Sequence, residues 1–410
     1  MINPKTQQRE LAYVVQIDEI RPIEGYDRVE HARVGGWWVI VKKDQFKVGD
    51  LAIYIEVDSK VPETEVFEFL AKRNYKVKTL KMCKVISQGL LMHPYDFNWE
   101  IQVDHSIWAP EDGDHGRYDL GDFLTEKLGI TYADAEDNKR KANSVDKYKV
   151  MAQRRPDIFC QSCARWMMRR AWGKKLMFLF FGKKKDTKKS WPAWVKKTDE
   201  ERCQNMPWLF PGDSRKWIAT EKIDGTSTTF TMKRLKRNKY DFFVCSRNVV
   251  FDKPDKKCFY DTNVYLEMAE KYPIEQTLKE ILVNFPDLEF VTIQGETYGE
   301  GIQKRGYHMK EHCFMAFNLI MGIVDKNGVI HTNRLNPIEL QTVMLHYGIP
   351  SVPVVCEHYI IPNTCDELLA FAGGESVVDG GMREGIVLRT YDGKKSFKAV
   401  DNEFLLKYHS

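Results

Sequence analysis

Three short apolar runs near the start of the chain set the tightest limit on its fold. Leu11-Ala-Tyr-Val-Val-Gln-Ile17, Gly36-Trp-Trp-Val-Ile-Val41 and Leu51-Ala-Ile-Tyr-Ile-Glu-Val57 are rich in β-branched and aromatic residues, and each has strand length. Turn signals separate them, Gly35-Gly36 in one place and Val48-Gly49-Asp50 in another. Strands this short must close on one another to bury a core.

At that spacing a small β-barrel is expected, most economically an OB-fold, with an ordinary β-sandwich as the alternative. Further on, Lys76, Lys78, Lys81 and Lys84 alternate with apolar residues. One strand face therefore reads as basic, suited to a phosphate backbone or to guarding an exposed edge. A chain of 410 residues has room for two or three domains, and 43% apolar with 29% charged residues is the composition of a soluble globular protein. The net charge of +4 names no partner by itself. Nine cysteines, an odd and scattered number, and no leader-like pattern at Met1-Ile2-Asn3-Pro4 imply reduced thiols in an intracellular compartment, cytoplasm or nucleus. Cys160-Gln-Ser-Cys163 has no second pair to complete a zinc site. No apolar run reaches the roughly 18 residues of a membrane span.

The sequence divides into an OB-like RNA-binding domain over 1–132, a basic and aromatic insertion or linker over 133–189, and a third domain over 190–410. Residues 164–189 carry ten Lys or Arg, Arg165, Arg169 and Arg170 among them, against the single acid Asp186. They also include Trp166, Trp172 and the run Leu176-Met-Phe-Leu-Phe-Phe181, so the segment suits an RNA-binding arm, a membrane-surface helix or a docking helix. Beyond Trp191-Pro192, strands alternate with amphipathic segments. Asn263 to Phe285 has helical spacing, broken at Pro273.

Within that last part a series of short motifs runs in order. Glu221-Lys-Ile-Asp-Gly225 opens a Thr-rich strand, and Cys245-Ser-Arg-Asn248 follows. Then come Val291-Thr-Ile-Gln-Gly-Glu-Thr-Tyr-Gly299, Cys313-Phe-Met-Ala-Phe-Asn-Leu319, Arg383-Glu-Gly-Ile-Val-Leu-Arg389 and Ser396-Phe-Lys398. The series resembles the nucleotidyltransferase motifs of the covalent-lysine superfamily: DNA ligases, RNA ligases and mRNA capping enzymes. Only twelve residues follow Lys398, too few for the C-terminal OB domain of capping enzymes and most DNA ligases. With the barrel first, with Thr198-Asp-Glu-Glu-Arg-Cys-Gln-Asn205 before the lysine and with Phe404-Leu-Leu-Lys407 at the end, the chain is similar to ATP-dependent RNA ligases carrying an N-terminal OB domain. The implied fold is α+β: an OB-like barrel, then a nucleotidyltransferase domain of antiparallel sheets flanked by helices.

The resemblance implies roles. Lys222 attacks the α-phosphorus of ATP and becomes lysyl-AMP. An ordinary lysine, with a pKa of about 10.4, is protonated at neutral pH, so Lys398 and a Mg2+ or Mn2+ ion are expected to release its proton. Asp224, Glu296 and Glu384 hold the metal mainly through water. Glu221 and Arg247 contact the nucleotide or the RNA end, and Glu296 also reaches the ribose. Phe317 stacks on adenine; Phe314, an odd number of positions away, faces the core. Gly225 lets the nucleotide approach the backbone. Lys76, Lys78, Arg165, Arg169 and Arg170 are RNA-contact candidates. The partner implied is RNA with 3′-OH and 5′-phosphate ends, in a nicked duplex, bound by a monomer. A DNA ligase, a capping guanylyltransferase and a non-catalytic RNA-binding protein of the same fold are the alternatives.

Two departures from the family pattern stand out. A Lys-x-Lys pair is replaced by Ser396-Phe-Lys398, so a second phosphate-binding lysine is missing or comes from elsewhere, with Lys394, Lys395 and Lys407 as candidates. Gly301-Ile-Gln-Lys-Arg-Gly-Tyr307 has Arg305-Gly306 where Asn is expected. His308 and His312 would share a helix face, but no third ligand accompanies them, so they read as structural.

Deleting residues 164–189 is expected to weaken RNA affinity and flatten its salt dependence while leaving adenylylation intact. Filter binding over a series of salt concentrations checks this, and unchanged binding throughout would refute it.

Overall fold

The computed structural model describes residues 1–3, 9–97, 119–132, 166, 170, 191–210, 215–251, 258, 260–325 and 327–409. Compactness divides the chain into two units, Met1–Ala133 with Ala193–Ser410, and Asp134–Pro192. In the second unit Arg170 is exposed, its guanidinium 4.2 Å from the centroid of the exposed Trp166 ring. Arg165, Arg169 and the Cys160–Cys163 pair lie outside the described residues.

The N-terminal part of the first unit runs through β1 (Ala12–Gln16), β2 (Glu19–Ile23), β3 (Tyr26–Val34), β4 (Trp37–Lys42), β5 (Leu51–Ile55), β6 (Ser59–Lys60), β7 (Thr79–Met82), β8 (Val85–Gln88), β9 (Leu90–Met92) and β10 (Thr131–Tyr132). The three apolar runs form β1, β4 and β5. Strands β1-β5-β9 make one antiparallel sheet and β2-β3-β4 another. Tyr13, Val34, Trp37, Val39 and Tyr54 fill the space between the two sheets. On its other face the first sheet packs Val14, Ile53 and Ile55 against Phe67, Leu70 and Leu124. Burial on both faces is why Leu51–Ile55 shows no polar alternation.

The four lysines do not share one strand face, which corrects the sequence expectation. Lys76 and Lys78 precede β7, and Lys81 on β7 pairs with Glu403 at 3.7 Å. Lys84 lies in the β7–β8 turn, where Cys83 and Lys84 have φ of 51° and 65°. Two positive-φ residues match the twist of a tight hairpin, so the alternation read through residues 76–84 is interrupted.

The C-terminal part contains β11 (Glu201–Arg202), β12 (Lys216–Lys222), β13 (Thr226–Leu235), β14 (Lys239–Ser246), β15 (Val250–Phe251), α1 (Val264–Lys271), α2 (Ile274–Asn284), β16 (Leu288–Gly299), β17 (His312–Val324), β18 (Ile330–Arg334), α3 (Pro337–His346), β19 (Val354–Ile360), α4 (Cys365–Ala372), β20 (Gly385–Thr390) and β21 (Ser396–Val400). The helical stretch breaks at Tyr272-Pro273, as its proline requires. One sheet has the order β11-β21-β20-β12-β19 and the other β15-β14-β13-β16-β17-β18. Every pair is antiparallel except β11–β21. Helices α1 and α2 close the second sheet over Phe230, Met232 and Phe314, and α4 closes the first over Trp217 and Phe397. The Thr-rich run is explained by threonine ladders: Thr228–Thr297 and Thr231–Thr292 hydroxyls lie 2.6 Å apart between β13 and β16. Among the described residues no helix is long and apolar enough to cross a membrane.

Asn205 fastens the two parts together. Its side-chain oxygen accepts from Trp37 Nε1 at 2.7 Å and Tyr13 Oη at 3.1 Å, and its amide donates to Glu56 at 2.8 Å and Glu201 at 2.6 Å. Arg202 reaches Asp58 at 3.2 Å alongside. Asn205→Ala strands a buried indole N–H and weakens a buried carboxylate, so it should cost about 2–3 kcal/mol. Urea unfolding measures this directly; a loss below about 0.5 kcal/mol would mean that water replaces the amide.

Candidate active site

Strand β12 lies in one sheet and β13 in the other, and Ile223-Asp224-Gly225 spans the gap. Lys222 is the last residue of β12. Its Nζ donates to Glu384 Oε2 at 2.7 Å, with the lysine side chain a quarter exposed (25%). Glu384 arrives there because Gly385 of β20 pairs in register with Lys222. Glu296 enters from β16 opposite Ser227. Lys398 lies on β21 between Val387 and Arg202. Gly225 is required by β16: a Cβ there would stand 2.3 Å from the Thr297 carbonyl and 2.9 Å from Glu296 Cγ. Its smallness thus serves the crossing of the sheets.

The charges of this cluster oppose each other. Burial alone would lower the Lys222 pKa, but Glu384, Glu296 and Asp224 outweigh it and hold the ammonium above its ordinary value. Burial raises the Glu296 carboxyl to about 8 despite Lys222, and Glu384 and Asp224 add to the rise. Burial and Arg9 lower Lys398 to about 7, against the pull of Asp199. The expectation of a depressed Lys222 is therefore met by Lys398 instead. Among the described residues no three His, Cys, Asp or Glu side chains converge as a direct metal-ligand set.

The remaining sequence candidates separate clearly. Phe314 is fully buried edge-on to Phe230, with ring centroids 5.3 Å apart. Phe317 faces the other way, beside Ile223, Tyr298 and Tyr307, at a bulge where Asn318 pairs with Gln294 and Ala316 with Gly295. Glu221, one residue from Lys222 and on the opposite strand face, accepts from the Ser376 hydroxyl at 2.5 Å and the Val377 N–H at 2.8 Å. Arg247 pairs with Asp199 at 2.5 Å, and its guanidinium is 4.8 Å from the Tyr132 ring. Lys394 and Lys395 lie in the far turn of the β20–β21 hairpin, away from Glu384, so neither replaces the missing lysine. The cations acting on Lys398 are Arg9, Arg202 and Lys222. His308 ends the short 3-10 turn Gly306–His308 and His312 opens β17, so the two share no helix face; His312 Nδ1 is 2.8 Å from Glu267 and Nε2 is 3.0 Å from the Glu300 carbonyl.

Family models match both parts of this arrangement. One, described as an OB-fold domain, covers residues 11–94, and one described as RNA ligase covers residues 215–409, the span holding Lys222, Glu296, Glu384 and Lys398. Residues 215–409 are an RNA ligase domain, behind an N-terminal OB-fold domain. Solved structures extend the likeness across both parts of the ligase. A Naegleria gruberi RNA ligase, a point mutant with AMP and manganese, is 25% identical with a TM-score of 0.67, covering 98% of this chain and 99% of that one. The same enzyme with pyrophosphate is 25% identical at a TM-score of 0.67, covering 97% and 98%. A further point mutant with ATP and manganese is 24% identical at 0.67, covering 98% and 99%. No curated protein matches the chain in sequence.

Sequence reasoning missed the residues that tie the ligase's nucleotide-side cations to its barrel. Asp199 reaches Arg9 at 4.0 Å as well as Arg247, and Arg9 pairs with the fully buried Glu56 at 3.0 Å. Glu56 and Asp199 are both pulled down to about 2. Burial opposes this, while the Met1 ammonium and Arg9 act on Glu56, and Lys398, Arg247 and Arg9 act on Asp199. Their unfolded values are 4.5 and 3.8, so the unfolded chain binds more protons between those values and about 2. Both carboxylates thus stabilise the fold above pH 4.5 and lose that contribution as pH falls towards about 2. Glu56→Gln should flatten the rise of stability with pH in this window. Unfolding midpoints at stepped pH measure it, and an unchanged slope would remove Glu56 from the account.

Proposed function

We propose that this RNA ligase charges Lys222 with AMP from ATP, passes the AMP to an RNA 5′-phosphate, and joins that end to a 3′-OH. The observation that carries the reading is the Lys222–Glu384 pair at the junction of two sheets, with Lys398 on the adjacent hairpin strand. AMP and pyrophosphate, present in the Naegleria structures, are the two halves into which lysine attack divides ATP.

Asp224, Glu296 and Glu384 fit a hydrated divalent cation: three acids act on one point, and Glu296 is raised by the charges of the other two. Magnesium or manganese held there through water would neutralise the developing charge on the phosphate. A cation held by these acids would remove the charges that keep Lys222 protonated and, with Lys398 nearby, would favour loss of its proton to water. The free amine of Lys222 forms the N–P bond to the α-phosphorus, and pyrophosphate leaves. Lys398 stabilises the crowded phosphorane, with Arg9 and Arg202 adding the positive field that a second lysine would supply. Phe317 offers its ring to adenine, a stack of about 1–3 kcal/mol. Arg247 must exchange Asp199 for phosphate. Glu221 acts at one remove, holding residues 376–377 against β12. In the second step the RNA 5′-phosphate attacks the lysyl-AMP phosphorus and frees Lys222. In the third the 3′-OH attacks the RNA phosphate and AMP departs.

Lys76 and Lys78 of the barrel, and the basic segment with Arg165, Arg169 and Arg170, are proposed to hold the RNA backbone of a nicked duplex. A monomer suffices for this arrangement.

Incubation with magnesium and α-labelled ATP, GTP or NAD, followed by a denaturing gel, tests the proposal. Label is expected from ATP alone, lost in Lys222→Ala. Label from GTP would make the chain a guanylyltransferase. No label from protein stripped of bound AMP, with pyrophosphatase present, would refute the enzyme reading.

A further inference from the structure

The segment that departs from the family pattern, Gly301 to Tyr307, lies beneath the Asp224 turn and grips it at two points. The Asp224 backbone N–H donates to Tyr307 Oη at 2.6 Å. Gln303 Nε2 donates to the Gly225 carbonyl at 3.0 Å. The peptide group before Asp224 and the one after Gly225 are thus held by one short stretch of chain.

Tyr307 is itself held with unusual care. Gly306, Tyr307 and His308 have φ of 63°, 51° and 52°, a left-handed run that an aromatic residue adopts at a cost. The Arg305 guanidinium lies 3.7 Å from the Tyr307 ring centroid. Asp379 fixes that guanidinium through two bonds of 3.0 and 2.6 Å, and Arg305 Nε donates to the Met382 carbonyl at 2.9 Å. The Arg305 and Asp379 side chains are only 3% and 7% exposed, so the plane of the fork is set by the interior. Tyr298 meets the ring edge-on at 5.0 Å. For filling space a phenylalanine would serve as well; only the hydroxyl reaches Asp224.

We propose that Tyr307 is a positioning residue for adenylylation: its hydroxyl fixes the backbone of Asp224, keeping that carboxylate aligned with Lys222 and the cation, while Arg305–Asp379 clamps the ring. The inference rests on the roles given above to Lys222 and Asp224. Asparagine, expected at position 305 from the family pattern, could not form the two-bonded fork that Arg305 makes here.

The test compares full-length wild type with Tyr307→Phe in single-turnover lysyl-AMP formation, varying ATP and manganese separately. Manganese binding without ATP is read by electron paramagnetic resonance, and thermal unfolding checks the fold. Tyr307→Phe should unfold within a few degrees of wild type and keep its ATP KM within about twofold. Its rate at saturating ATP should fall about tenfold, with weaker manganese binding, as expected for a misaligned charge. A folded Tyr307→Phe with wild-type rate and manganese affinity, or with a change in ATP KM alone, would overturn the proposal. Should that variant not fold, Arg305→Lys keeps the charge but loses the fork. The same rate and manganese signature, smaller in size, is then expected, and wild-type values would overturn the proposal. If wild type itself forms no lysyl-AMP, the reading of Lys222 falls separately, and the manganese affinities alone decide the role of Tyr307.

Discussion

Strand β12 ends in one sheet and β13 begins in the other, with three residues to make the crossing. That constraint organises the catalytic part. The crossing has to be narrow, so Gly225 packs with its Cα against the Thr297 carbonyl. It has to be rigid, so the peptide groups around Asp224 are tied to the 301–307 segment. Because it leaves β12 at Lys222, the side chain emerges where inner strands of both sheets can supply charge: Glu296 from one, Glu384 and Lys398 from the other. Helices α1, α2 and α4 build the cores behind the sheets and contribute none of these groups.

The electrostatics divide labour between two lysines. Lys222 sits among acids and is held charged, whereas Lys398 sits among cations and is pushed down to about 7. A cation engaging those acids would remove the charges that hold the Lys222 ammonium, which would couple metal binding to the release of its proton. Anionic phosphate arriving at Lys398 does the reverse there, since it favours the charged form. The site is therefore poised against its ligands, with each lysine in the protonation state that the ligands correct.

Much of this was legible in the sequence where local pattern and tertiary demand agree. The strands at Leu11–Ile17, Gly36–Val41 and Leu51–Val57 were readable from composition, and the helix break at Pro273 from backbone geometry. Phe317 rather than Phe314 faces Ile223 and Tyr307, as strand parity implied. The failures are equally physical. Lys76 to Lys84 read as one face because alternation cannot reveal a two-residue turn inside it. The acids around Lys222 were not readable, because the sign of a pKa shift depends on which charge is nearest, and Glu384 lies 162 positions away. Arg9 carries no motif, and the segments holding Asp199, Asn205 and Tyr307 give no sign of what those side chains do. Their importance comes from contacts between distant segments, and in Tyr307 from a backbone conformation that no neighbour except Gly306 announces.

The β20–β21 hairpin, with Glu384 just ahead of it and Lys398 upon it, gives this centre an arithmetic character. Val387 faces Lys398 across the ladder while Gly385 faces Lys222, so the distance between the two lysines is counted in strand residues. A one-residue slip of β21 would turn Lys398 to the opposite side of its sheet and carry the buried Phe397 and Ala399 out of the core under α4, so packing and chemistry fix the same register. The turn at 391–395 is fixed separately, its Gly393 carbonyl accepting from Arg334 Nε at 2.8 Å and its Tyr391 carbonyl from Asn336 at 3.2 Å. Inside the two strands, an inserted or deleted residue is a change of parity that would cost a lineage its packing and its chemistry together.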